Sequence, residues 1–162
     1  SEALSLLKES TCNHGVFAIR YPRETVSSCS EEVKKIPYGT WKEELLGKEV
    51  AIVSVGPMTL KLKNALIENK ANVTLYNAIY LRPIDEVKTL ELLKYNKVII
   101  YNPYATKEGF ANALSTKLID LGYKGKIVCM TVPSEFVKQA SIDEQREQFS
   151  LTVEDVLKEV NK

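Results

Sequence analysis

Glu49-Val50-Ala51-Ile52-Val53-Ser54-Val55-Gly56 is the stretch on which the fold turns. Val50, Ile52, Val53 and Val55 are β-branched, Ser54 alone interrupts the apolar run, and Gly56 ends it. A short apolar run without polar alternation is a strand covered on both faces, as in a parallel sheet between layers of helices.

The sequence downstream repeats that unit. Met58 to Lys70 carries Leu60, Leu62, Ala65, Leu66 and Ile67 at near-helical spacing, and Asn72 to Ala78 reads as a second strand. Leu81-Arg82-Pro83-Ile84-Asp85 is a turn, with Asp85 placed to cap a helix running through Leu92 and Leu93. Lys97 to Tyr101 is a third strand, broken by Pro103. Glu108 to Leu121 is helical by Phe110, Leu114, Leu118 and Leu121, with Gly122 at its C-cap. Lys126 to Val132 is a fourth strand, stopped by Pro133. Two short helices, around Ser134–Gln139 and Thr152–Asn161, close the chain with an acidic stretch between them. Strands alternating with helices of this length form βαβ units, so the fold class is α/β: a three-layer αβα arrangement with a mostly parallel sheet.

Upstream the character changes. From Thr25 to Gly47 the chain is rich in Ser, Glu, Lys, Pro and Gly, which reads as a linker pinned by Ile36, Tyr38 and Trp41. Before it, Ser1 to Lys8 looks like the last turns of an amphipathic helix, and Gly15-Val16-Phe17-Ala18-Ile19 like a buried strand. A helix–strand piece without partners in its own sequence is the expected tail of a neighbouring domain. The expected organisation is residues 1–26 as that tail, 27–46 as linker, and 47–162 as the main domain.

Composition narrows the classes of partner. The 162 residues are 44% hydrophobic and 27% charged, enough for one domain with a packed core. A formal net charge of +1 with interleaved signs lacks the basic face that nucleic acid requires. No run approaches the ~20 apolar residues of a membrane-spanning helix. Cys12, Cys29 and Cys129 are widely spaced and without CxxC pairing, which points to a reducing, cytoplasmic setting.

One element invites a ligand. Arg20-Tyr21-Pro22-Arg23 places two guanidiniums either side of a Tyr-Pro step. Arginine offers a planar fork of donors and keeps its charge, which suits phosphate. Proline fixes its own φ and restricts the residue before it, so the two are held at a defined separation. Other chemistry is sparse. GxGxxG and GxxxxGK[ST] are absent, Gly56 stands alone after its strand, and no metal-ligand spacing is visible. His14 reads as a loop histidine and Cys129 as a small buried hydrophobe, while Glu43-Glu44 and Asp143-Glu144 read as solvated faces. The expectation is therefore a segment that is not a complete enzyme by itself.

The order of these motifs carries a family resemblance. Ala18 to Arg23, a Ser/Glu-rich linker ending in Ile36-Pro37-Tyr38-Gly39, Val50 to Gly56, Tyr80 to Asp85, and Val132-Pro133-Ser134-Glu135-Phe136 together resemble the carboxyl-terminal part of the 1-deoxy-D-xylulose-5-phosphate synthases. The resemblance covers nearly the whole chain and implies a transketolase C-terminal-type domain, preceded by the tail of a pyrimidine-binding middle domain. It implies a three-domain homodimer that binds thiamine diphosphate and Mg2+ between its first two domains, outside this chain. Such enzymes join pyruvate to glyceraldehyde 3-phosphate with loss of carbon dioxide, for isoprenoid, thiamine and pyridoxal precursors. Arg23 matches the family's substrate-phosphate arginine, and Arg20 is the second candidate, more suited to support. The fragment would hold no catalytic residue and be inactive alone, completing a dimer and an active-site wall with the missing amino-terminal and middle domains.

Two departures stand out. Glu24 follows Arg23 where the family has Gly, setting an acid beside the proposed phosphate site; an exposed like charge weakens anion binding by about 1 kcal/mol at most. The family's Glu-Glu-Asn-Ala and Gly-rich turn is replaced by Asn102-Pro103-Tyr104-Ala105 and Lys107 to Asn112. The domain is also shared by transketolases and the β subunits of 2-oxoacid dehydrogenases, and a non-catalytic interaction module is the remaining alternative.

Overall fold

The computed structural model describes residues 2–12, 15–21 and 35–162. Along the chain run α1 (Glu2–Cys12), β1 (Lys42–Leu45), β2 (Val50–Ser54), α2 (Met58–Glu68), β3 (Val73–Asn77) and α3 (Glu86–Leu92). β4 (Lys97–Thr106), α4 (Phe110–Asp120), β5 (Lys126–Val132), α5 (Ile142–Gln148) and α6 (Val153–Val160) complete it.

The Val50–Ser54 run lies at the centre of the sheet, whose order is β1-β3-β2-β4-β5. β3, β2, β4 and β5 are parallel, with Ile52 opposite Leu75 on one side and Ile99 on the other. Burial on both faces explains the unbroken apolar run: Ile52 packs with Leu62, Leu66, Ile99 and Val156, whereas Val53 packs with Leu92, Ile100 and Leu114. Hence α2 and α6 cover one face, α3 and α4 the other. Each such side chain, fully buried, contributes about 1.5–3 kcal/mol.

Helix ends follow their local chemistry. The Asp85 carboxylate accepts the Lys88 amide and caps α3. At the end of α4, Gly122 takes φ +81°, while its amide and that of Tyr123 donate to the carbonyls of Ile119 and Leu118. This is the paired closure that a left-handed glycine permits.

Five expectations change. Lys42–Leu45, within the stretch read as linker, is a strand that pairs antiparallel with β3. Trp41 before it is buried, donating its indole Nε1–H to the Tyr80 carbonyl at 2.8 Å and meeting Phe110 edge-on. Glu44 is not solvated: only 8% of its side chain is exposed, and Lys42 and Lys63 hold it at 2.6 and 2.8 Å. Gly15–Ile19 forms no strand; Val16 is fully exposed, and no described segment supplies the ladder its backbone would need.

Pro103 does not end β4. β2 stops where Ser54 faces Tyr101, so nothing on that side asks for the missing N–H; on the other, the register skips from Asn102↔Thr131 to Thr106↔Val132. Finally, Ser134–Gln139 is not helical. The helix starts one capping box later, where the Ser141 hydroxyl accepts the Glu144 amide and Glu144 accepts the Ser141 amide at 2.8 Å. The acidic stretch is that helix.

Candidate site at the carboxyl edge of the sheet

The connection leaving β2 leads to β3, and the one leaving β4 leads to β5, on opposite sides. Between β2 and β4, therefore, the strand order switches direction, and in open α/β sheets the crevice beyond the carboxyl ends at such a point is where ligands bind.

Ser54, Val55 and Gly56 form one wall of this edge and Asn102, Pro103 and Tyr104 the other. Ser54 and Thr59 share a hydrogen bond of 2.8 Å, both buried, which ties the strand end to the first turn of α2. Gly56 has φ +80°, and a Cβ there would lie 2.8 Å from Cε2 of Tyr104. The ring thus occupies space that only glycine leaves open. Its other neighbour is Arg146, whose guanidinium carbon lies 5.7 Å from the ring centroid, within cation–π range. The side chain of Arg146 is 8% exposed and donates to Asp143 at 3.2 Å. The Tyr104 amide donates to Oδ1 of the buried Asn102 at 3.3 Å.

The amino-terminal segment comes to the same edge. Glu2 accepts from the Asn77 amide group at 3.0 Å, Phe17 meets Tyr80 edge-on at 6.4 Å, and Arg20 Nη2 donates to the Tyr104 carbonyl at 3.4 Å. Tyr80 is buried, and its hydroxyl has no hydrogen-bond partner among the described residues. Burial pushes this hydroxyl up in pKa, with Glu9 and Tyr38 adding to the effect.

Of the two candidate arginines, Arg20 is exposed at this edge. Arg23 lies outside the described residues, as do His14, Glu24 and Cys29. Cys129 is half-buried on the edge strand β5, its Sγ 3.5 Å from the Ser115 hydroxyl. Among the described residues no group of three or more His, Cys, Asp or Glu is placed to hold a metal ion. Nor is any helix among them long and apolar enough to cross a membrane. Tyr104 and Arg146 were not singled out by sequence reasoning. An arginine in a seven-residue polar helix carries no signature, although Tyr104 does sit in the stretch that departs from the family pattern.

Residues 39–156 match the family model described as transketolase, C-terminal domain. The chain belongs to the transketolase C-terminal domain family. Within it, the chain is similar to 1-deoxy-D-xylulose-5-phosphate synthases. That of Parabacteroides distasonis is 30% identical over 154 residues, covering 91% of this chain, and that of Thermotoga maritima is 32% identical over 151 residues, covering 90%. A third, from Clostridium beijerinckii, is 29% identical across 97% of the chain. The chain spans about a quarter of the length of these relatives (24% for the first two). A solved structure described as a split-gene transketolase, an inactive β4 tetramer, superposes with a TM-score of 0.67 at 20% identity. That likeness covers 79% of this chain and 43% of the other, and it shows the shared transketolase-type fold.

Proposed function

We propose that this chain is the carboxyl-terminal part of a 1-deoxy-D-xylulose-5-phosphate synthase, and that Arg23 binds the phosphate of glyceraldehyde 3-phosphate. One observation carries the reading. Similarity to the synthases extends beyond the shared domain at residues 39–156, and at 97% coverage it reaches across Arg20-Tyr21-Pro22-Arg23. The sheet geometry adds support, because Arg20 lies at the switch point, where an anionic substrate would be met.

In this reading thiamine diphosphate and Mg2+ belong to domains outside this chain; when bound there, they would supply the decarboxylation of pyruvate. The residues described here have the other tasks: to form a wall, to orient the phosphate-binding element and to complete a homodimer in the cytoplasm. Residues 1–26 would be the tail of the middle domain, and the linker that follows would end ahead of Trp41 and β1, which belong to the sheet.

The test is the Arg23→Ala variant of the native full-length polypeptide. KM for glyceraldehyde 3-phosphate should rise by roughly tenfold or more while KM for pyruvate holds, as expected when one charged hydrogen bond to a single substrate is lost. Equal effects on both substrates would make Arg23 structural. A native polypeptide that lacks the cofactor-binding domains would overturn the synthase reading itself.

A further inference from the structure

The two borders of the sheet are built differently. β1 is four residues, Lys42-Glu43-Glu44-Leu45, and its pairing with β3 shifts register between Glu43 and Leu45. Short length, charge and a bulge are the devices that keep an edge from pairing with another chain. β5 has none of them. It runs seven residues, Lys126 to Val132, with its one charge at the start, and keeps regular register with β4 from Lys126 to Thr131. Ile127 and Cys129 pack on the core under α3 and α4, whereas Val128, Met130 and Val132 pack on the core under α2 and α6. All five are half-buried, while Ile52, Val53, Ile99 and Ile100 on the inner strands are fully buried. Among the described residues no strand lies on the outer side of β5. A strand added there would extend the ladder and both apolar layers together.

We propose that β5 pairs antiparallel with β5 of a second copy of this chain, across a two-fold axis through Cys129. Charge selects this occupant and this direction. Set parallel to itself, the strand would stack Lys126 on Lys126, and like charges directly opposite destabilise a ladder. Turned antiparallel about Cys129, Lys126 of each copy lies opposite Val132 of the other. Lys124 and Glu135, both exposed and of opposite sign, then approach one another at each end of the join. Each apolar layer meets its own like across the axis, and the arrangement closes as a dimer instead of growing into a fibre. The inference needs neither the phosphate-binding role of Arg23 nor the synthase reading. It adds a surface of self-association, and a homodimer held by other domains would survive its failure.

The experiment uses the native full-length polypeptide with its own cysteines removed, and treats the Lys124→Cys/Glu135→Cys variant with a short bis-maleimide. Within one copy the strand between these positions spans about 20 Å, at roughly 3.3 Å per residue, so a short linker joins them only between copies. Both side chains are exposed, which spares the fold. At micromolar protein the double variant should give at least about tenfold more covalent dimer than Lys124→Cys or Glu135→Cys alone, because pairing raises the effective concentration of the two thiols. Adding Thr131→Lys, which sets a charge into the apolar join, should cut that yield by roughly tenfold, with the thermal midpoint confirming that the variant folds. If Thr131→Lys does not fold, the comparison of double with single variants decides alone. Equal yields from the double and single variants would overturn the inference. Slow hydrogen exchange along β5 without any covalent dimer would also overturn it, and would assign this border to another segment of the same polypeptide.

Discussion

The carboxylate of Asp85 accepts the backbone amide of Trp41 at 2.8 Å, across 44 positions of sequence. Its other oxygen takes the Lys88 amide at 2.9 Å and caps α3. One side chain thus fixes the entry of the chain into the sheet and starts a helix. Asp85→Ala should cost about 2–4 kcal/mol, combining a lost cap of about 1 kcal/mol with a buried amide left unsatisfied. Asp85→Asn, which keeps one acceptor, should cost less. Urea denaturation measures both, and a loss below about 1 kcal/mol for the alanine variant would contradict this account.

Trp41→Phe should cost about 1–3 kcal/mol. The substitution keeps an aromatic ring against Phe110 but leaves the Tyr80 carbonyl without the indole donor. Trp41→Ala should cost about 3–5 kcal/mol, since a cavity then opens beside Phe110 and Tyr80. Similar midpoints for the two variants would mean that the indole hydrogen bond, not the packing, dominates.

Gly56→Ala should destabilise by at least about 1–2 kcal/mol from the left-handed backbone alone, and further from contact with the Tyr104 ring. In a Tyr104→Ala background the steric part should disappear and the backbone part remain. A double-mutant cycle should therefore show coupling above about 0.5 kcal/mol. No coupling would mean that the ring moves aside freely.

Acid should weaken the β1 edge first through Glu44. Burial acts to raise its carboxyl, but hydrogen bonds and charge from Lys42 and Lys63 outweigh it and hold the pKa below the ordinary 4.5. The unfolded chain then takes up this proton at a higher pH than the folded one. Glu44 accordingly stabilises fully above about that value, and the contribution is lost as pH falls through the lower folded one. Glu44→Gln should flatten the fall of thermal midpoint between about pH 5 and pH 3; an unchanged slope would assign it to other carboxylates.

Isolated, the chain should bind neither thiamine diphosphate nor Mg2+ with measurable heat. Calorimetry showing saturable cofactor binding would place part of the diphosphate site here and overturn the division of labour proposed above.

Much of the sheet could be read directly because its central strands are covered on both faces. Val50–Ser54 has no polar face to present, so periodicity and burial agree, and Asp85 declares a helix start by residue type alone. β1 could not be read that way. Lys42-Glu43-Glu44-Leu45 looks solvated, yet an edge strand needs only backbone pairing and one inward contact, and Glu44 found lysines instead of water. Pro103 misled because a proline's missing donor matters only where a neighbouring strand asks for it. The Gly15–Ile19 run misled because apolar character alone does not supply a partner strand. At the candidate site Arg20 was legible as a charged motif. Tyr104 and Arg146 were not, because a ring seated against Gly56 and a guanidinium lying over that ring depend on tertiary geometry.

The antiparallel pairing of β1 bears on where the domain can be cut free. Excision at Gly47 would strip the indole from under Tyr80, uncap the outer margin of β3 and leave Asp85 facing an empty entry. A version that begins ahead of Ile36 would carry its own selvedge, with β1 covering β3 and, among the described residues, β1 and β5 as the two borders of the sheet.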